Sequence, residues 1–340
     1  LSLHDALPIL ELPDGTPQRV RLAKTDIGAD YTLGADLVFE DIAIYSMSAT
    51  GDGGQGHVTQ VVPSAYASQL LAGNLPLLRD NDDLDGRALR QYIAAGGYGT
   101  QAWLGGAVFY SPDAASWDRL TTIMTSMTWG VALTTLAAPT SAFLTDRTNS
   151  LTLVMQQGGA SLIDATELEM LNGANMALLI TPDGDAELIH FSDVVANADG
   201  SHTLSTLLRG GRGTEWACGL HAAGDLFVLV DFETLEALDI AIGDLGSTRY
   251  FRFVGRFDTF DAAQTQPIVI SGSAEKPLAP VSIAASRDGS SNITLTWLRR
   301  TRIGGEWMDL TEDVPLGEAS EAYEVDIMDG PDVVRTITGL

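Results

Sequence analysis

The sequence predicts a mostly β protein built from antiparallel modules. Three observations carry that reading. Apolar residues recur in short alternating or continuous runs, the signature of strands buried on one or both faces. The runs are punctuated by turn chemistry such as Pro182-Asp-Gly184 and Asp199-Gly200. No helical patterns of about 10–15 residues alternate with them, so successive strands are placed to pair antiparallel rather than through crossover helices.

Composition bounds the function classes. At 340 residues the chain can hold two or three domains with ample core, and its apolar fraction of 45% is that of a globular protein. The formal charge of −26 would repel a phosphate backbone, so no nucleic-acid partner is expected. With Cys218 as its one cysteine the chain can form no internal disulfide. No apolar run approaches the length of a membrane-spanning helix, so no membrane insertion is expected.

Residues 1–9, Leu1-Ser-Leu-His-Asp-Ala-Leu-Pro-Ile9, lack an initiator Met and are similar to an in-frame translation of a sequencing-library adapter. They are set apart from the fold, and the chain is read as the C-terminal part of a longer protein. Between Gln18 and Tyr45, Val20, Leu22, Leu37, Phe39, Ile42 and Ile44 mark strands broken by Gly28 and Gly34. Residues 46–56 are small and glycine-rich, so residues 10–60 are taken as the end of an upstream β domain.

The central β domain is taken as residues 61–277, opening at Val61-Val-Pro63. Asn81, Asp83, Asp85 and Gly86 have the spacing of an EF-hand loop, but the twelfth position, which needs a bidentate Glu, is Tyr92. That stretch reads as a solvated acidic turn, and no metal or cofactor is expected. A strand from Trp103 to Tyr110 runs into Ser111-Pro-Asp-Ala-Ala-Ser-Trp117, similar to an Asp-box turn that lacks its Gly and is one residue short. This is a folding device: Asp113 should bind backbone amides, with Trp117 packed beneath the hairpin.

Leu151 to Met155 is a further strand, whereas Asp164–Gly173, a short helix by propensity alone, is read as irregular structure or strand. Met176–Ile180, Glu187–Phe191, His202–Leu208 and Asp225–Val230 then form a meander. Thr234–Leu238 reads as a short helical turn, and Thr248–Val254 and Ile268–Ile270 as strands. Ala274–Pro280, with its two prolines, is a domain boundary.

Within the meander, Gly210, Gly211 and Gly213 offer positive φ angles, and Arg209 and Arg212 offer donors for carbonyls that a non-strand loop leaves unpaired. Together with Thr214, Glu215 and His221 they are read as a structural loop motif. The alternative is an anion or glycan site made by the same donors. No lysine–threonine phosphate motif follows, and Glu215 repels anions, so the scaffold reading is preferred.

Leu207-Leu-Arg-Gly-Gly-Arg-Gly-Thr-Glu215, His221 and Gly224-Asp-Leu-Phe-Val-Leu-Val230 resemble a signature of phage tail hub proteins, above all the tail-tip (host-specificity) proteins of gene transfer agents and related siphophages. Leu75-Pro-Leu-Leu-Arg-Asp80 resembles a segment of the same family. The chain departs from the family at Gly211, where a second basic residue is usual.

The C-terminal section, residues 278–340, resembles fibronectin type III: Val281-Ser-Ile-Ala284, Ile293–Trp297 with its indole aimed inward, Tyr323–Ile327 and Val333–Ile337 follow as sandwich strands. A full sandwich needs about 100 residues and seven strands. The fold class is therefore antiparallel β modules followed by the N-terminal half of a truncated fibronectin-like domain. Trp297–Trp307, Pro315–Glu318 and Ala322–Asp326 also resemble the C-terminal part of the tail-tip family. Arg299, Arg300 and Arg302 read as strand-face charge.

Of the five histidines none has metal-ligand spacing, and the chain carries no nucleophile elbow, phosphate loop or dinucleotide fingerprint. Cys218 lies three residues before His221, but proximity in sequence is not catalytic geometry, and His221 reads as a satisfied structural histidine. The chain is expected not to be an enzyme; the glycoside-hydrolase-like barrel carried by members of the resembled family would lie upstream of it.

The resemblance implies a structural role in the virion, at a tail tip assembled in the bacterial cytoplasm. Other tail-tip and tail-tube proteins would be its partners, in a homo-oligomeric ring, with a host surface glycan or receptor beyond. From a different class comes a carbohydrate-binding module of a surface or secreted glycosidase. An exposed row of Trp or Tyr beside a groove would favour that module; buried tryptophans and flat inter-subunit faces would favour the hub.

Overall fold

The computed structural model describes residues 9–11, 14–15, 17–30, 32–39, 67–99, 102–157, 162–305 and 314–339. The chain divides into two units, Leu1–Val62 and Pro63–Leu340. In the first, β1 (Ile9–Glu11), β2 (Pro17–Ile27) and β3 (Leu33–Phe39) form an antiparallel sheet in that order. Ile9 stands opposite Arg19 in the ladder, so the segment set apart as foreign ends inside a strand. Residues 1–8, Ile42, Ile44, Val61–Pro63 and Trp307 lie outside the described residues.

The second unit is layered around a six-stranded barrel. Its strands are β8 (Thr128–Ala132), β9 (Leu151–Met155), β10 (Met176–Ile180), β11 (Ala186–Ala196), β12 (His202–Leu208) and β13 (Leu226–Leu229). They close in the order β10-β11-β12-β9-β8-β13, every pair antiparallel. Alternation sorts the side chains: Leu151, Leu153, Ala177, Leu179, Ile189 and Phe191 share one core. The intervening Trp129, Leu178, Leu188 and Val228 face the other way, onto Leu71, Leu75 and Tyr92.

Those last residues belong to, or lead between, β4 (Ser68–Gly73) and β5 (Leu89–Gly97), which form a three-stranded sheet with β14 (Glu236–Ile240) in the order β14-β5-β4. Its far face carries Ala72, Leu89, Ile93 and Ala95. It packs on Val108, Phe251 and Ile268 of a four-stranded sheet. That sheet has the order β16-β15-β6-β7, from β6 (Gly106–Ser111), β7 (Asp118–Ile123), β15 (Thr248–Gly255) and β16 (Thr265–Val269). Strand β5 is covered on both faces, which explains its nearly continuous apolar run.

Two local readings are corrected. Asp164–Gly173 contains a helix, α1 (Glu167–Leu171), started by a capping box in which Thr166 Oγ1 accepts from the Glu169 amide and Glu169 reaches back to the Thr166 amide. Thr234–Leu238 is not a helical turn beyond Thr234. Leu235 closes a turn on Asp231, and Glu236–Ile240 then pairs with β5, a long-range ladder that overrides the helical propensity of Leu-Glu-Ala-Leu.

The C-terminal section forms two hairpins, β17 (Val281–Arg287) with β18 (Ile293–Leu298) and β19 (Glu324–Asp329) with β20 (Asp332–Thr338). Trp297 is half-buried and meets Tyr323 edge-on at 5.0 Å, which brings the two hairpins together.

Candidate functional site

One end of the barrel is closed by a buried charge cluster. Glu187 enters it because β11 alternates: Glu187, Ile189 and Phe191 share a face, and Glu187 is the first of the three. Arg209 follows the last residue of β12, and Asp225 precedes the first of β13. Asp146 and Ala137 come from the β8–β9 connection, held to the barrel by reciprocal backbone bonds of Asp146 with Leu207.

Arg209 is the centre of the plug. Its Nε and Nη2 donate to the two carboxylate oxygens of Glu187 at 2.6 and 2.9 Å, a bidentate fork. Its Nη1 donates to the Ala137 carbonyl at 2.9 Å and to Asp146 at 3.2 Å. Glu187 also accepts from the Gly210 amide and from the Cys218 thiol. His221 Nδ1 donates to Asp225 at 2.9 Å, since a carboxylate only accepts, while its Nε2 stands 3.4 Å from Glu187. Nε2 is buried without a hydrogen-bond partner, so the histidine read as satisfied is satisfied at Nδ1 alone.

The electrostatics follow from this wiring. Burial alone would raise the Glu187 carboxyl, but His221 and Arg209 outweigh it and bring it down to about 2. Burial likewise opposes the charge on Asp146, yet donors from Asn149, Thr148 and Arg209 hold its carboxyl below the usual range. Cys218 is pushed up to about 12, first by burial and then by Glu187. It is therefore a thiol at neutral pH, which removes the activated thiolate that a Cys–His nucleophile requires.

The loop residues singled out in the sequence converge here, with changed roles. Arg209 was expected to bind loop carbonyls; its main partners are carboxylates, because a fully buried guanidinium needs charge compensation. Positive φ occurs at Gly210 and Gly213 but not at Gly211; Arg212 itself adopts φ 53°. Thr214 Oγ1 accepts from the Leu188 amide and donates to the Gly211 carbonyl, fastening the loop to β11. Glu215 pairs with Arg300.

Arg212 leaves the plug and reaches Asp80 at 2.9 Å and the Arg302 carbonyl at 3.1 Å. In the acidic turn read over residues 81–86, Asn81, Asp85 and Gly86 are exposed, but the two carboxylates between them are not solvated. Asp82 is buried beneath a bidentate Arg79 and the Tyr92 hydroxyl, and Asp83 lies 3.5 Å from Arg302. Nor are the C-terminal arginines mere strand-face charge. Arg299 binds the Val314 carbonyl and Glu321, Arg300 the Ala279 carbonyl, and Arg302 the Ala274 carbonyl and Glu318. All three follow the end of β18, within reach of loop carbonyls that need donors.

The second motif is separate from the plug. Asp113 accepts from the amides of Ala115 and Ser116 and from Ser111 Oγ, which hold its carboxyl below the usual range. Trp117 packs edge-on against Phe260, under the Arg252 guanidinium. The amide bonds of Asp113 are those the sequence suggests, while the partners of Trp117 in the fold are Phe260 and Arg252.

Residues 127–228 match the family model described as Rcc01698-like, C-terminal. The match opens one residue before β8 and closes inside β13, so it spans the barrel and the whole loop from Arg209 to His221. No curated protein matches the chain.

The backbone requirement can be ranked. A Cβ on Gly210 would lie 2.6 Å from the Glu215 Cα, a backbone atom, whereas one on Gly213 would meet the end of the Leu278 side chain. Both sites also have positive φ. Gly210→Ala is expected to lower stability by about 1–3 kcal/mol and Gly213→Ala by less, read as urea midpoints. Arg212→Ala, which removes a partly exposed pair, should cost about 1 kcal/mol. Its melting temperature should respond to sulfate to the same extent as that of the wild type, whereas loss of a sulfate-dependent rise in the variant would reject the scaffold reading.

Proposed function

We propose that the chain is a structural component of a phage or gene-transfer-agent tail tip, a hub that links the tail tube to host-recognition elements. The observation that carries the reading is the family-model match over the barrel, which covers the loop motif that resembles tail-hub proteins. The geometry of that loop supports a scaffold. Its charged side chains are spent on one another and on carbonyls, so the barrel end is held rigid without a ligand. Three tryptophans are likewise committed to packing, Trp129 in the core, Trp103 stacked on Phe253 and Trp117 on Phe260, whereas Trp216 stands exposed and does not count for the hub. The partners are other tail-tip and tail-tube proteins in a homo-oligomeric ring, on a virion assembled in the bacterial cytoplasm. The chain itself does no catalysis in this reading.

Antibodies raised against the recombinant chain should decorate one end of tailed particles from the producing culture under the electron microscope. Labelling confined to cell envelopes or to secreted material would reject the hub and favour the glycosidase-module alternative. The charge of −26 adds a second expectation. A gel-shift with micromolar chain should show no salt-sensitive retardation of DNA.

A further inference from the structure

A continuous groove follows the free edge of β4. One end is lined by Trp216, Lys276 and Leu278. The middle, about 520 Å³, is lined by Asn74, Asp183, Asp185 and Gln266 together with the same Trp216 and Lys276. The far end, about 460 Å³, shares Gln266 and Pro182 with the middle and adds Gln69, Tyr98 and Gln156.

Three properties set this groove apart from the plug. Trp216 is 62% exposed and Tyr98 43% exposed, so two aromatic rings face solvent at opposite ends. Among the described residues, no hydrogen bond or ion pair engages the side chains of Trp216, Asp183, Asp185 or Lys276, whereas the arginines of this unit are largely tied down. The sheet edges that form the walls are already capped by amides. Gln69 donates to the Leu70 carbonyl and Gln266 to the Ala72 carbonyl, both at 3.0 Å, and Asn74 donates to the Val269 carbonyl of β16 at 2.7 Å.

We propose that this groove binds an uncharged or amino-sugar oligosaccharide. Aromatic rings with one open face suit the apolar C–H face of a pyranose, and unengaged carboxylate and ammonium groups between them suit its hydroxyls or a protonated amine. A peptide strand added to β4 would need the Leu70 and Ala72 carbonyls, and so would have to displace the glutamines that cap them. A sugar chain needs neither carbonyl. Asp183 and Asp185 against Lys276, with Arg212 at one end already paired to Asp80, in a chain of net charge −26, disfavour an anionic polysaccharide. The inference does not depend on the tail-tip reading, and a failure of either leaves the other standing.

The test is calorimetry and tryptophan fluorescence on the full chain. The probes are hexamers of N-acetylglucosamine, glucosamine and β-1,4-glucose, with a hexagalacturonate as the anionic comparison. At least one of the first three should bind saturably, and the galacturonate should not. Trp216→Ala should weaken that binding about tenfold, the scale of one aromatic platform, with the melting temperature unchanged because the indole is mostly exposed. Asp183→Asn with Asp185→Asn should weaken it severalfold, also without loss of fold. Binding of none of the three hexamers, or binding that Trp216→Ala leaves intact, overturns the proposal. So does selection of extended peptides from a display library by the wild type and not by Trp216→Ala, which would make the groove a peptide site.

Discussion

Arg209→Met is expected to destabilise the barrel by about 3–5 kcal/mol, the scale of removing one partner from a buried ion pair. Glu187 would keep the Gly210 and Cys218 donors but lose both bonds of the guanidinium fork, and Asp146 and the Ala137 carbonyl would each lose a donor. The loss is larger than for Arg212→Ala because the side chains of Arg209 and Glu187 are fully buried, so water cannot replace the missing partner. A double variant, Arg209→Met with Glu187→Leu, should recover part of the loss by removing both charges; urea melts of the single and double variants measure the coupling. The same pair sets an acid limit. Glu187 is brought from a usual value of 4.5 down to about 2. Its contribution is therefore fully present above about pH 4.5 and is lost as pH falls towards 2, up to about 3 kcal/mol at 1.36 kcal/mol per unit. Glu187→Gln should start less stable at neutral pH and show a flatter acid limb. An acid limb as steep as that of the wild type would assign the titration to other carboxylates.

The sequence made barrel strands legible where apolar residues alternated, as in His202–Leu208, or ran together between turn signals, as in Met176–Ile180. The loop was legible as non-strand backbone through its glycines, two of which take positive φ. The plug was not, because a glutamate in an alternating strand has the same local pattern whether it faces water or the interior. Glu187 becomes distinctive only when Arg209, twenty-two residues later, is brought onto it. Asp146 and Asp225 were hidden for the same reason. Strand β4 was missed because its short Leu70-Leu-Ala72 run has no β-branched residue and takes its strand character from pairing with β5. Helix α1, in contrast, was signalled locally by Thr166 and Glu169, three residues apart in front of an apolar pair. Trp216 carries no local signal at all, since its meaning comes from strand edges far away in sequence.

Trp129→Ala is expected to cost about 4–6 kcal/mol, combining the loss of a large buried side chain with that of an indole hydrogen bond. Trp129 sits in β8 but faces out of the barrel, into the core shared with Leu71, Leu75 and Tyr92. Its Nε1 donates to the Gly97 carbonyl at 3.1 Å, and Tyr98 meets it edge-on at 4.7 Å. Strand β5 makes room for it: a Cβ on Gly96 would come within 2.8 Å of the indole, while one on Gly97 would press on Trp103, which packs with the four-stranded sheet. Two successive glycines, each weakening a strand taken alone, thus allow two tryptophans to close on it from opposite faces. Removal of the indole leaves a void between barrel and sheet that a strand paired on both edges cannot collapse to fill. Trp129→Phe keeps much of the apolar contact and loses the hydrogen bond, so it should cost about 1–3 kcal/mol. Gly96→Val should approach the alanine variant from the other side, by pushing the indole out of its site. If Trp129→Ala cost no more than Trp129→Phe in urea unfolding, the contact between barrel and sheet would have to rest on Leu71, Leu75 and Tyr92 rather than on the indole.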